Sequence, residues 1–404
     1  MRRGAISALL LASIATGCTR TAPPLSAADA AKLPWDTIVA RARGATVIWR
    51  MWRGDPSINS FVDKWVAPRL ESQYGITLQT VAGQGNELVD QLTVEKEAGA
   101  STGVASLMWI NGETFAAMRA RKLLAGPWSN VLPAASAVDS ASPIISRDFE
   151  QDPAGYESPW GTVQLALIYD TARVASPPRT VAELATWIRA HPGRFTYDQS
   201  FAGMTFLKGL FYSLNGGVDT FKGGFDSTRY LAGRTKLFAW LDSIEPSLWR
   251  KGTQYPADVA ALHRLFANRE IDFTMSNNQN EAVTKAMQGV LPASSRALVL
   301  RDGTIANAHF LGIPFNAPSA AAAMVVANFL LTPEAQLEKQ RPTVWADGTV
   351  LSLARLPAQW RARFDSVVND PRLVPNDSLR RYASPEVSPR YHERLQDDWR
   401  RMIR

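Results

Sequence analysis

Apolar and polar positions follow two periods along this chain, and the switches between them predict its elements. Thr46 to Gly54 (TVIWRMWRG) is an apolar, β-rich run broken by Gly54-Asp55-Pro56. Asp55 then reads as a helix cap with Pro56 in the first turn. Ile58, Phe61, Val62, Trp65 and Val66 follow at helical spacing, with Gly75 beyond the end. Ile76 to Val81 predicts a second strand, Asn86 to Ala100 a second helix, Val104 to Ile110 a third strand and Glu113 to Ala120 a third helix. Near-continuous apolar strands separated by amphipathic helices imply a parallel sheet covered on both faces.

The pattern loosens through a Pro- and Ser-rich stretch, Pro127 to Pro159, and resumes with one strand over Thr162 to Asp170. Thr180 to Glu183 is a capping box that opens a helix ending near His191-Pro192-Gly193. Arg194 to Asp198 predicts a short strand, and the segment from Ser200 to Gly216 a helix. Helices over Thr228 to Ile244 and Pro256 to Ala267 lead into a strand, Ile271 to Ser276. A late strand, Thr304 to Pro314, precedes an Ala-rich helix from Ala320 to Leu331. Two α/β regions thus flank two extended crossings, near Trp160 to Tyr169 and Ala306 to Pro314. That is the connectivity of a bilobed protein whose ligand sits between its lobes, with the crossings as a hinge.

The N-terminus adds an address. Arg2 and Arg3 precede the apolar run Ala5 to Ala15, followed by the small residues Thr16 and Gly17 and then Cys18. This is the order of a secretory signal, and the run is too short to span a bilayer as a mature helix. Ala15-Thr16-Gly17-Cys18 resembles a lipobox, with Ala15 where Leu is commoner. Cleavage before Cys18 and acylation of its sulfur would tether the protein to a membrane; an ordinary signal peptide beside an incidental cysteine is the alternative. Thr19 to Lys32, rich in Ala, Pro, Ser and Thr, reads as a flexible tether.

Removing residues 1–17 lowers the formal charge from +7 to +5, because it removes two arginines and no acid. The segment Arg355 to Arg404 holds 11 Arg against 7 Asp and Glu, so the remainder is close to neutral. A basic tail with interspersed acids reads as a solvated helical face, and nucleic acid is not an expected partner. With Cys18 as the only cysteine there is no intrachain disulfide and no Cys-based metal site. His191, His263, His309 and His392 form no HxxxH or HExxH pair, so neither metal nor cofactor is expected. No GxSxG elbow or phosphate-binding glycine loop occurs either, which favours a binder over an enzyme.

The segment from Pro159 to Asp198 resembles the hinge of periplasmic solute-binding proteins of ABC importers with the type II fold: a Pro-aromatic-Gly, an apolar crossing strand, a Tyr-Asp and a capped helix. The segment from Ile313 to Gln336 is similar to that family's second hinge and its following helix. Leu107 to Phe115, Glu157 to Gly161, Leu291 to Ser295 and Asn307 to Pro314 are similar to the YnjB branch of the family. The resemblance runs from about Trp35 to Leu353 and leaves out the lipidated cysteine and the Arg-rich tail. It implies an α/β, bilobed type II periplasmic-binding-protein fold of two parallel-sheet-rich lobes joined by two hinge strands. The division expected is residues 1–17 as signal peptide, 18–34 as lipidated tether, 35–161 and 312–404 as lobe 1 with a C-terminal helical tail, and 162–311 as lobe 2.

On that fold the loops after the strands face the cleft. Trp52 offers a stacking face and Arg53 a bidentate donor for an anion, or they are a core Trp and a solvated Arg. Asn111, Gly112 and Glu113 sit in the corresponding place, Gly112 exposing backbone N–H groups and Glu113 suiting a cation or merely the helix N-terminus. Trp160 either stacks on ligand or plugs the lobe interface, and Gly161 allows bending. Ser200, Gly203 and Thr205 open a helix with free N–H groups, a ready hydroxyl or anion site or an ordinary cap. Asn277 and Asn278 supply amides for a polar ligand or form a polar turn, and His309 is a ligand contact or a structural residue of the crossing. Arg53 and the Ser200 helix favour an anion, whereas Glu113 with Trp52 and Trp160 favours a cation, so the sign of the solute stays open. The reading is a monomeric, membrane-anchored extracytoplasmic receptor that traps a small polar or charged solute and meets an ABC permease and its ATPase. An extracytoplasmic enzyme or a ligand-sensing adaptor on the same scaffold are the alternatives.

Overall fold

The computed structural model describes residues 25–402. Cys18 and the signal and lipobox residues lie outside them. Two hydrophobic cores divide the rest. The first gathers residues from Ala27 to Trp160 and from Ala308 to Phe364; the second gathers residues from Leu165 to Ile305 and, in addition, Val387, Tyr391, Leu395 and Trp399.

In the first core β1 (Thr46–Met51) pairs in parallel with β2 (Thr77–Ala82) and β3 (Leu107–Ile110), as the apolar runs predict. Asp55 caps the helix Pro56–Ser60 by accepting from Ser57 N at 2.6 Å, and Gly75 closes the following helix in the left-handed region at φ 67°. Between them Phe61–Val66 widens into a π-helical stretch just before Pro68. A proline inside a helix lacks the N–H and crowds the carbonyl four residues back, and a wider turn relieves both.

The strand expected over Thr162 to Asp170 divides at Leu165. β4 (Glu157–Gln164) stays in the first sheet, and β5 (Ala166–Asp170) belongs to the second. Leu165 N still donates to Ile305 O at 2.8 Å, so the two crossings run side by side. The other crossing, β8 (Thr304–Gly312), is antiparallel to both β3 and β4, giving the order β2-β1-β3-β8-β4. In the second sheet β5 lies between β6 (Phe273–Ser276) and β7 (Ser295–Leu298), antiparallel to each. Parallel pairing is thus confined largely to the first lobe, where helices connect successive strands.

Three further expectations change. The tether is shorter than residues 18–34, because Ala27–Ala30 forms a helix capped by Ser26 and buries Ala27 and Ala30 in the first core. Arg194 to Asp198 forms no strand, because its carbonyls serve separate loops: Arg194 O accepts from Asp272 N and Phe195 O from Trp249 N, both at 2.8 Å. The tail does not follow lobe 1. Residues Ala383–Ser384 form β9, parallel to the start of β8, and the helix Pro389–Met402 buries Tyr391, Leu395 and Trp399 in the second core. Those three recur every fourth position, one apolar stripe with arginines outside it. Among the described residues no single helix is long and apolar enough to cross a membrane.

Candidate functional site

The loop after β1 uses its charges within the structure. Trp52 folds over Gly54, where a Cβ would strike the indole, and keeps 41% exposure. Arg53 is held by Asp63, with Nη2 2.7 Å from Oδ2, and donates to Thr80 Oγ1, so the anion donor expected there is engaged. That pair raises the Arg53 pKa, and Arg53 in turn holds Asp63 below the usual carboxylate range. Asp55 caps its helix and also reaches across the lobes to Lys285, on the helix Glu281–Met287.

Around Lys285 several side chains bond across the interface. Gln288 Nε2 donates to Ser57 Oγ at 2.9 Å, Asn278 Nδ2 to Trp345 O at 3.0 Å, and Asn280 Nδ2 to Ala346 O at 3.2 Å. Asn278 is thereby committed to an interlobe contact, while Asn277 stays half-buried beside it. Behind Lys285, Glu281 lies near His263 and accepts from Ser276 Oγ. Burial alone opposes its ionisation, yet neighbouring His263, the Lys285 charge and the Ser276 hydroxyl together hold it at about 2.

Trp160 is wholly buried in an aromatic cluster, 4.8 Å from Trp109 edge-on and 5.3 Å from both Trp49 and Trp345. This packing makes Trp160 part of the first core, to which Trp49, Trp109 and Trp345 also belong. His309 stacks on Trp345 and sets Nε2 3.0 Å from Asp347, whose other oxygen accepts from buried Lys339 at 2.6 Å. Gly161 is required for space, since a Cβ there would collide with Asp347 and His309, and the register of β4 against β8 shifts between Pro159 and Gly161. The helix Phe201–Ser213 likewise supplies its own anion: Asp198 Oδ1 accepts from Ser200 N at 2.7 Å and from Ser200 Oγ. Gly203 packs on the Asp198 backbone, and Thr205 Oγ1 donates to Phe201 O at 2.7 Å.

Asn111, Gly112 and Glu113 lead instead to a polar island between the lobes. Asn111 precedes the helix Gly112–Ala120 without capping it, and Gly112 lies where a Cβ would strike Phe149. Glu113 retains 31% side-chain exposure, yet its Oε1 is sealed without a hydrogen bond, 3.4 Å from His392 Nε2 of the tail. Asp148 and Glu157 are 2% and 1% exposed, with Asp148 Oδ2 and both Glu157 oxygens unpartnered. Opposite them Lys208, in the second lobe, places Nζ 2.8 and 2.7 Å from the two oxygens of Glu386 and 4.8 Å from the Phe149 ring.

Burial pushes Glu113 up to about 7, against the pull of Lys208 and with Glu386 and Glu393 adding to the rise. Burial also drives Asp148 well up, helped by Glu386 and Glu113, and Glu157 well up, helped by Asp148. His392 is held well below its ordinary value, by burial first and then by Lys208. Sequence reasoning missed Asp148, Lys208, Glu386 and His392 as a group.

This scaffold has relatives. The model of the family described as bacterial extracellular solute-binding protein matches residues 65–362. The chain belongs to the bacterial extracellular solute-binding proteins. Protein YnjB of Escherichia coli (strain K12) is 36% identical over 336 residues, 82% of this chain and 86% of that protein. Solved structures share the bilobed fold at low identity. The spermidine/putrescine ABC transporter substrate-binding protein PotD of Streptococcus pneumoniae matches with TM-score 0.58 at 15% identity, covering 89% of this chain and 100% of that one. Iron-bound HitA of Pseudomonas aeruginosa matches with TM-score 0.60 at 15% identity, covering 89% and 99%. A solute-binding protein of the ABC type is extracytoplasmic, takes a small solute and meets a permease; it is not an enzyme. The family match stops before the tail segment that carries Glu386 and His392.

Proposed function

We propose that the protein is a lipid-tethered receptor that traps a small polar or charged solute between its lobes and delivers it to an ABC permease and its ATPase. The observation that carries this reading is the polar island at the lobe interface, where carboxyl oxygens are buried without protein partners. Groups that lose water on lobe closure without gaining a partner destabilise the apo protein, and a solute that supplies the partner repays that loss. β4 and β8 run side by side between the lobes and offer the hinge. Glu113 lies on the first-lobe side of the island.

Tethering rests on Cys18 and its preceding small residues. Replacement C18S is expected to move the protein from the membrane to the soluble fraction, and unchanged membrane association would refute the anchor. Solute capture is tested by thermal unfolding against amines, carboxylates, phosphates and sugars. One class raises Tm if the reading holds, because a ligand that binds only the folded state stabilises it by mass action.

A further inference from the structure

The Lys208 ammonium already shows what chemistry the island accommodates. It is 1% exposed, ion-paired with Glu386 and set over the Phe149 ring. A carboxylate with an aromatic face is a good environment for a dehydrated ammonium group. Yet one lysine faces a surplus of acid. Glu113 and Asp148 converge from the first lobe, Glu386 from the tail, and Glu157 lies behind Asp148. The buried Tyr212 hydroxyl adds a neutral oxygen next to Glu386. The competing anion donors are engaged elsewhere, Arg53 by Asp63 and the Ser200 helix start by Asp198.

We propose that this island is a binding site for a small organic cation bearing an alkylammonium group, clasped by Glu113 and Asp148 of the first lobe and by Glu386 of the C-terminal tail. The inference rests on the receptor reading and names its solute class. The unpartnered oxygens of Asp148 and Glu157 then have a purpose: burial favours their protonated form without solute, and an ammonium group arriving from outside would favour the ionised form and supply the missing donors. Glu113, the most exposed member, lies at the entrance. The tail segment, beyond the residues matched by the family model, becomes part of the binding site.

The experiment is thermal unfolding of the full-length, detergent-extracted protein at pH 7.5 with ethanolamine, 1,4-diaminobutane, glutarate or glucose, for wild type, E113Q, D148N and E386Q. An amine is expected to raise the wild-type Tm, with at least a tenfold loss of apparent affinity in E113Q and D148N. Both variants keep the side-chain shape, and their Tm without solute reports folding; E386Q supplies a further variant if either is unfolded. An amine response that persists undiminished in folded E113Q and D148N overturns the site. A response to glutarate or glucose alone overturns the solute class and leaves the receptor reading standing. No response to any of the four overturns the class and counts against the receptor reading as well.

Discussion

The two flanks of the lobe interface solve the same problem in opposite ways. On the Lys285 flank each charge meets its counterpart: Asp55 faces Lys285, Lys285 faces Glu281, and Glu281 is steadied by His263 and Ser276. On the Glu113 flank carboxyl groups gather around a single lysine, and several of their oxygens meet nothing. A satisfied network holds two surfaces together, whereas an unsatisfied one leaves affinity unused. The first flank reads as a latch and the second as a seat for a solute. The proteins that share the fold are described with cargoes as different as polyamine and iron, so the lining rather than the fold selects the solute.

The severest way to break the contrast is to remove the lysine. Lys208→Met leaves Glu386 buried among other carboxyls and is expected to destabilise the protein by about 3–5 kcal/mol in urea unfolding. The double variant Lys208→Met, Glu386→Gln should recover much of that loss. A double variant no more stable than the single one would show that the pair is not the source.

Acidity sharpens the contrast next. Glu113, Asp148 and Glu157 have pKa values above their unfolded values, so near neutral pH the folded state holds protons that the unfolded chain has released. Stability without solute therefore falls as pH rises from 6.5 to 7.5, by up to about 1.4 kcal/mol per pH unit for each such carboxyl. The depressed His392 acts in the other direction, but only below its ordinary value of 6.5. Glu281, held at about 2, contributes stability that is lost only as pH falls below 4.5. The charged and titratable groups around Asp148 and Glu157 are Glu113 and Arg119 on one helix, Lys208 and Tyr212 on another, Glu150 beside them, and Glu386, His392, Glu393 and Arg400 on the tail. Glu157→Gln is expected to flatten the fall in Tm between pH 6.5 and 7.5; an unchanged slope would remove Glu157 from the account.

Smaller effects test the latch. Lys285→Met leaves Asp55 capping its helix and is expected to cost about 1.5–3 kcal/mol, the range for hydrogen bonds to charged groups. It should also increase the radius of gyration in small-angle scattering as the lobes separate. An unaltered radius would argue that the flank does not latch. Smallest of all, Arg53→Ala breaks a partly exposed pair on one lobe, worth about 0.2–1 kcal/mol, and should leave solute response unchanged.

The order of strands and helices was largely legible because periodicity and caps are local properties; Asp55, Gly75 and the Thr180 cap are read from a few adjacent residues. The island was not legible because its members come from segments that meet only in three dimensions: Lys208 and Glu386 are 178 residues apart. A faint signal existed in Lys208 itself, a lone lysine in the apolar helical run from Met204 to Tyr212. Asp148 and Glu386 lie in irregular segments where no period marks a face. The tail's apolar stripe was visible, but its choice of lobe depends on which core offers the complementary surface. Arg53 and Ser200 misled for a related reason, since a donor in a loop cannot be distinguished from one already engaged by Asp63 or Asp198.

Native mass spectrometry of the protein extracted without unfolding tests the central claim most directly, because a retained solute reports its own mass. Wild type is expected to retain a small amine-bearing solute, which is absent from folded D148N and E113Q. An anionic solute, or the same solute held equally by both variants, would contradict it.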